Sequence, residues 1–325
     1  MNVPKFLYHQ WCYDPPVPST SFSGRVVIVT GANSGLGLEA CRHIARLGAS
    51  KIILACRTIE KGKAAATSIQ ASTNCSADVL DVWKLDMSSY ASVQAFTQRA
   101  NTELPRLDVL IANAGMWAST FRTSEDNEET ITTNVVSTAL LGFLLHPKLS
   151  ETARKFGTKT HITITSSELY LMAKFKESKA PLGQIFATLS DEKKSNMADR
   201  YNVSKLLVVL LVKQMAALAP LESSAVIVNN VGPGYCKSEL GREQSAMLNA
   251  LAGAMGARTT EVGSRMVVYG ATAGSESHGQ YVPDCEVKPT GGLTKGKEGE
   301  DLQKRVWAEL KAKLERIQTG VTDIR

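Results

Sequence analysis

From Arg25 onward the chain alternates short β-branched or aliphatic runs with amphipathic segments of helix length, and few folds accommodate that pattern. The runs are Val26–Val29, Lys51–Ala55, Val79–Leu85, Leu107–Ala112, His161–Ile164 and Ala225–Val228. A strand that is apolar at every position, rather than at every second one, is buried on both faces, as in a parallel sheet covered by helices. The intervening segments Leu36–Leu47, Ile59–Ala71 and Tyr90–Leu104 repeat apolar residues at three- and four-residue spacing, which gives one buried helix face. The expected fold class is therefore α/β: a single Rossmann-like, doubly wound parallel sheet flanked by helices.

Three stretches stand outside the repeat. Residues 1–23 are proline-rich and aperiodic and read as an N-terminal arm. Residues 168–197 form a long excursion between a strand and the next helix. Residues 285–325 comprise a Gly/Lys loop and an amphipathic helix around Leu302–Ile317. The expected division is an arm (1–23), one domain (24–284) with the excursion as an inserted substrate loop, and a C-terminal loop and helix.

Composition narrows the function classes. The 325 residues carry a net charge of +6, with basic and acidic residues interspersed, so no nucleic-acid footprint stands out. The longest apolar runs, Leu206–Val212 and Ala139–Leu145, fall short of the roughly 20 residues that span a bilayer. Six cysteines lie far apart, with no CxxC pair and no histidines at metal spacing, so no metal site is expected. The first residues contain Pro4, His9 and Asp14 and lack the pattern of a secretory signal. The expectation is a soluble, cytoplasmic protein with reduced thiols and a small-molecule ligand.

The first strand runs into Thr30-Gly31-Ala32-Asn33-Ser34-Gly35-Leu36-Gly37 and then a helix. Glycines there let the backbone approach a pyrophosphate and leave the helix N-terminal amides pointing at it. At the end of the second strand stands Arg57, with no Asp or Glu beside it. An arginine at that point pairs with a 2′-phosphate, where an acid would bind ribose hydroxyls, so NADP(H) is the expected cofactor. Asp86, after the third strand, suits the adenine amino group; a helix-capping acid would look the same.

These residues, with Asn113-Ala114-Gly115 after the fourth strand, Asn134 within a helix, Ser166-Ser167 after the fifth, Tyr201-Asn202-Val203-Ser204-Lys205, and Pro233-Gly234 and Ser238 after the sixth, resemble the short-chain dehydrogenase/reductase family over about Ser23–Pro283. Within it the chain is similar to the retinol-dehydrogenase-like branch and fungal secondary-metabolism reductases. The resemblance implies a catalytic set of Asn134, Ser167, Tyr201 and Lys205. It also implies cofactor contacts from Gly31, Asn33, Ser34, Gly35, Leu36, Gly37, Arg57, Asp86, Asn113, Ala114, Gly115, Tyr201, Lys205, Pro233, Gly234, Cys236 and Ser238. Lys205 would bind the nicotinamide ribose and Asn134 would hold a water for reprotonation. Family members commonly pair through the helix holding Leu206–Val212, which makes a homodimer an open option.

The chemistry is consistent with that set. Carbonyl reduction puts charge on oxygen, so a proton donor and a second hydrogen bond must face it. Lys205 lies four residues after Tyr201, on the same helical face, and its charge is expected to lower the phenol pKa. The expected function is NADPH-dependent reduction, or the reverse dehydrogenation, of a bulky, largely apolar carbonyl compound. Two alternatives stay open: non-redox cyclisation or dehydration, and a catalytically silent NADP-binding regulator. Residues 168–197 are expected to form a substrate wall or lid. The segment Ser238–Gly256, with Leu240, Met247, Leu248, Leu251 and Met255, is expected to form the opposite wall.

Overall fold

A computed structural model describes residues 3–237, 240 and 256–324. Seven strands form the main sheet: β1 Val26–Thr30, β2 Lys51–Cys56, β3 Leu80–Lys84, β4 Val109–Ala112, β5 Thr160–Thr165, β6 Val226–Gly232 and β7 Tyr281–Pro283. They are all parallel, in the order β3-β2-β1-β4-β5-β6-β7. β1 pairs with β2 on one side (Val27 opposite Ile52) and β4 on the other (Val27 opposite Val109). The winding direction reverses between β1 and β4, which opens a crevice beyond the carboxyl ends of those strands.

Successive strand residues face opposite layers, and two cores result. Ile28, Ile53, Leu110, Ile162 and Val228 pack beneath α4 (Tyr90–Glu103), α5 (Ser137–Phe156) and α6 (Met197–Leu218). Val27, Val29, Ile52, Leu54, Val109 and Ile111 pack against α2 (Gly35–Arg46), α3 (Ile59–Thr73) and α7 (Thr260–Gly270). Leu206–Val212 of α6 is fully enclosed within the single chain, partly by the C-terminal helix α8 (Gly296–Ile317). That run therefore needs no second copy to bury it. Among the described residues, α6 is the one helix long and apolar enough to cross a membrane, and most of it is interior to this fold.

Two of the irregular stretches are more ordered than their sequence implies. The N-terminal residues carry a helix, α1 (Val3–Cys12). The excursion over 168–197 folds into short 3₁₀ turns and a helical turn at Ile185–Leu189, with Phe175, Ile185, Phe186 and Leu189 buried. Asp199 accepts from the Lys174 and Phe175 amides (2.9 and 3.1 Å), and Glu309 accepts from those of Ile185 and Phe186 (3.1 and 3.0 Å). Arg305 donates to the Ser178 and Ala180 carbonyls, both at 2.8 Å. Motion of the whole stretch would break these bonds.

Candidate active site

The site is assembled at the carboxyl ends of the strands, around the crevice. β1 ends at Thr30, and Gly31 turns the chain with φ of +64°. A Cβ on Gly37 would lie 2.4 Å from the Gly31 carbonyl oxygen and 2.7 Å from Asn113 Nδ2, so the loop closes only with glycine there. Helix α2 starts at Gly35, with no side-chain cap from Ser34 and no acid in its first turn. Its free N-terminal amides, together with the positive end of the helix dipole, suit a phosphate. The donor set thus fits a dinucleotide pyrophosphate.

Around this loop the other expected cofactor residues gather. Asn113 Nδ2 donates to the Thr30 carbonyl (3.1 Å) and the Ala114 amide donates to Thr30 Oγ1 (2.8 Å), fastening the end of β4 to the glycine loop. Arg57 stands exposed just beyond β2. Asp86 uses one carboxylate oxygen locally, accepting from the Ser88 amide (3.0 Å) and hydroxyl (2.7 Å). Gly115 faces the catalytic candidates: a Cβ there would lie 3.3 Å from Asn134 Oδ1 and 3.7 Å from Lys205 Nζ.

Pro233 and Gly234 follow β6, and Cys236 Sγ bonds the Pro233 carbonyl at 3.3 Å. Burial pushes the Cys236 thiol up to about 12, so it stays protonated and unreactive. Ser238, and all of the expected wall Ser238–Gly256 except Leu240 and Gly256, lie outside the described residues.

The residues expected to handle protons come from three elements. Ser167 follows β5, and its Oγ accepts from the Leu169 amide at 3.3 Å. Tyr201, on α6, is 5% exposed. Its pKa is raised, above all by burial; a hydrogen bond with Ser167 opposes the shift, while Glu168 and Cys236 add to it. Lys205 Nζ donates to the Thr165 carbonyl at 2.9 Å and sits 5.6 Å from the centre of the Tyr201 ring. Burial lowers its own pKa to about 8. Desolvation dominates both groups, and the Lys205 ammonium is turned toward a backbone oxygen.

Asn134 lies in a one-turn π segment, Thr132–Val136, ahead of α5, a distortion that often accompanies functional sites. Its Oδ1 accepts from the Met116 amide (2.9 Å), while Nδ2 donates to the Met116 carbonyl (2.9 Å) and to Ser204 Oγ (3.0 Å). The side chain is therefore committed to protein partners, apart from the second lone pair of Oδ1.

A sequence profile described as short chain dehydrogenase matches residues 25–173. The chain is 47% identical, over 98% of both chains, to "Short chain dehydrogenase/reductase dmxR8" of Cryptosporiopsis sp.. It belongs to the short-chain dehydrogenase/reductase family.

It is also 36% identical to "Short-chain dehydrogenase anuD" of Penicillium roqueforti, covering 99% of this chain and 85% of that one. Among solved structures it is similar to the 3-ketoacyl-(acyl-carrier-protein) reductase of Brucella melitensis complexed with NADH. That match has a TM-score of 0.60 at 21% identity and covers 81% of this chain and 97% of the other. As a member of this oxidoreductase family, the protein uses a fold whose neighbours hold NAD(P) cofactors.

Several residues at the site escape motif reading. Trp117 stacks on Tyr201 with ring centroids 4.5 Å apart and planes 12° from parallel. Glu168 raises the pKa of Tyr201 and places Oε1 beside Gly232, where the Tyr281 hydroxyl also lies; its own pKa is raised, chiefly by burial. Gln10, from α1, pairs with both sides of Tyr235, donating to its carbonyl (2.6 Å) and accepting from its amide (3.1 Å). None carries a sequence signal of its own, since each acts on residues distant along the chain.

Proposed function

We propose that the protein is an NADPH-dependent reductase, or the reverse dehydrogenase, acting on a carbonyl group of a bulky, largely apolar small molecule such as a secondary metabolite. The observation that carries this reading is the convergence of Tyr201, Ser167 and Lys205 beside an open helix N-terminus at the mouth of β1. When bound, the dinucleotide supplies hydride to the carbonyl carbon. Tyr201 stands protonated at neutral pH, the state a proton donor needs when charge develops on a carbonyl oxygen. Ser167 offers that oxygen a second hydrogen bond and holds the phenol hydroxyl.

Lys205 stands ready to restore the proton and, together with Asn113, Ala114 and Gly115, to border the nicotinamide ribose. Gly31, Asn33, Ser34, Gly35, Leu36 and Gly37 would cradle the pyrophosphate. Asp86 would reach the adenine, and Pro233, Gly234, Cys236 and Ser238 the carboxamide side. Arg57, exposed and free of a neighbouring acid at the end of β2, supports the 2′-phosphate assignment. The relatives' names as short-chain dehydrogenases from fungi support the substrate class.

The test is NADPH consumption at 340 nm with a panel of aliphatic and aromatic ketones. Turnover with NADPH that Tyr201→Phe abolishes is expected. Full hydride transfer by Tyr201→Phe would sink the mechanism. Equal affinity for NADH and NADPH, unaffected by Arg57→Ala, would sink the cofactor assignment.

A further inference from the structure

The Asn134 amide grips the Met116 backbone through both its N–H and its C=O, each at 2.9 Å. The next residue is Trp117, half-buried, and after it Ala118 is fully enclosed. The indole is therefore held on both sides by fixed backbone. It lies nearly parallel on the Tyr201 ring, 4.5 Å between centroids. Such a pair attracts beyond the area it buries.

Helix α6 fixes the Cα of Tyr201, but the torsion that tilts a phenol ring has a broad, two-fold preference and is not set by the helix. Ser167 lies toward the hydroxyl end. The ring face is restrained by Trp117. We propose that Trp117 is a positioning residue for Tyr201: held by the Asn134–Met116 pair, its indole sets the tilt of the phenol and keeps water off one ring face. Asn134 thereby acts on Tyr201 through Met116 and Trp117.

Removing the indole has two consequences. The ring gains freedom, so proton delivery becomes less frequent; and water reaches the phenol, which relieves the desolvation that holds it neutral. The other titratable groups near Tyr201 are Glu168 from the turn after β5 and Cys236 from the loop after β6, which raise its pKa, and Lys205 on its own helix, 5.6 Å from the ring centre. All remain in place in a Trp117 variant, so any shift reports the indole.

The inference rests on Tyr201 as proton donor, and its test has a readout independent of turnover. Tyrosinate formation is followed at 295 nm in the full-length protein with NADPH bound, for wild type, Trp117→Ala and Trp117→Phe. In each background the matching Tyr201→Phe protein is subtracted, which isolates Tyr201. Trp117→Ala is expected to ionise Tyr201 at least about one pH unit lower than wild type, a tenfold change in the equilibrium. Trp117→Phe, which keeps an aromatic face, is expected to stay close to wild type, and circular dichroism melts show whether each variant folds.

With a ketone that turns over, Trp117→Ala is expected to lose about tenfold or more in kcat, equivalent to 1.4 kcal/mol, with KM changed far less. An unchanged Tyr201 titration in a folded Trp117→Ala protein would overturn the inference even if the enzyme is active. Absence of turnover with any ketone would count against the proposed function alone, and the titration would still decide the role of Trp117.

Discussion

Lys205 should cost the folded protein stability, and its replacement by methionine measures how much. The ammonium is 5% exposed, makes one hydrogen bond, to the Thr165 carbonyl, and burial brings its pKa from 10.5 to about 8. The sign follows directly. Below pH 8 the folded protein must carry a buried charge that the unfolded chain carries in water, so the penalty is fully present. It declines as pH rises from 8, because the folded lysine is then neutral, and it vanishes above 10.5. At 1.36 kcal/mol per pH unit the penalty is about 3 kcal/mol at pH 7 and about 1.5 kcal/mol at pH 9.5. Lys205→Met also leaves the Thr165 carbonyl short of a donor, a cost of about 1–3 kcal/mol that is the same at both pH values. The decisive quantity is therefore the change in the difference between the two proteins. Urea unfolding at pH 7 and pH 9.5 should show wild type gaining about 1.5–2 kcal/mol relative to Lys205→Met as pH rises. A difference that is flat with pH, or that moves the other way, would refute the claim that burial governs Lys205.

Two further substitutions probe the frame around the site. Gly37→Ala places a methyl 2.4 Å from the Gly31 carbonyl oxygen; the loop must shift, and a loss of about 1–3 kcal/mol in stability is expected, with weaker NADPH binding measured by quenching of protein fluorescence. Arg200→Met removes a buried cation that lies 3.3 Å from Glu128 and 3.6 Å from Glu177, leaving both carboxylates uncompensated. A loss of about 3–5 kcal/mol in urea unfolding is expected, and a loss below about 1 kcal/mol would show that the pair is solvated.

How far the sequence could be read depended on where each element's order comes from. Strands β1 to β6 were legible as aliphatic or β-branched runs, most clearly β1, β2 and β4, which are buried along nearly their whole length; the edge strand β3 carries Asp81 and Lys84 and is only partly buried. β7 was not, since Tyr281–Pro283 is three residues long and carries no periodicity. Helix α1 was hidden by the prolines that follow it, and its seat depends on distant partners. Arg258, for example, donates to the His9 and Tyr13 carbonyls at 2.8 and 3.2 Å. The excursion before Tyr201 read as a loop for the same reason: Asp199, Glu309 and Arg305 order it from other helices. At the site, the glycine loop and the Tyr201–Lys205 pair were legible because their spacing is dictated by a turn and by one helical turn. Trp117 was not, because a stack between residues 84 positions apart leaves no local trace.

The spacing of Tyr201 and Lys205 also shows what a motif omits. Four residues apart on a helix places two side chains on one face, and in water the lysine charge would favour tyrosinate. The structure adds the medium in which they meet. Trp117 covers the phenol, Gly115 leaves no side chain between Asn134 and Lys205, and both titratable groups lose solvent. Desolvation disfavours charge on either one, so it drives the phenol upward and the ammonium downward, toward their neutral forms. A site built this way holds its donor proton on Tyr201 at neutral pH and keeps Lys205 within about one pH unit of releasing its own. That arrangement follows from the packing of the residues around the pair, and it is the one the proposed proton delivery to a carbonyl oxygen requires.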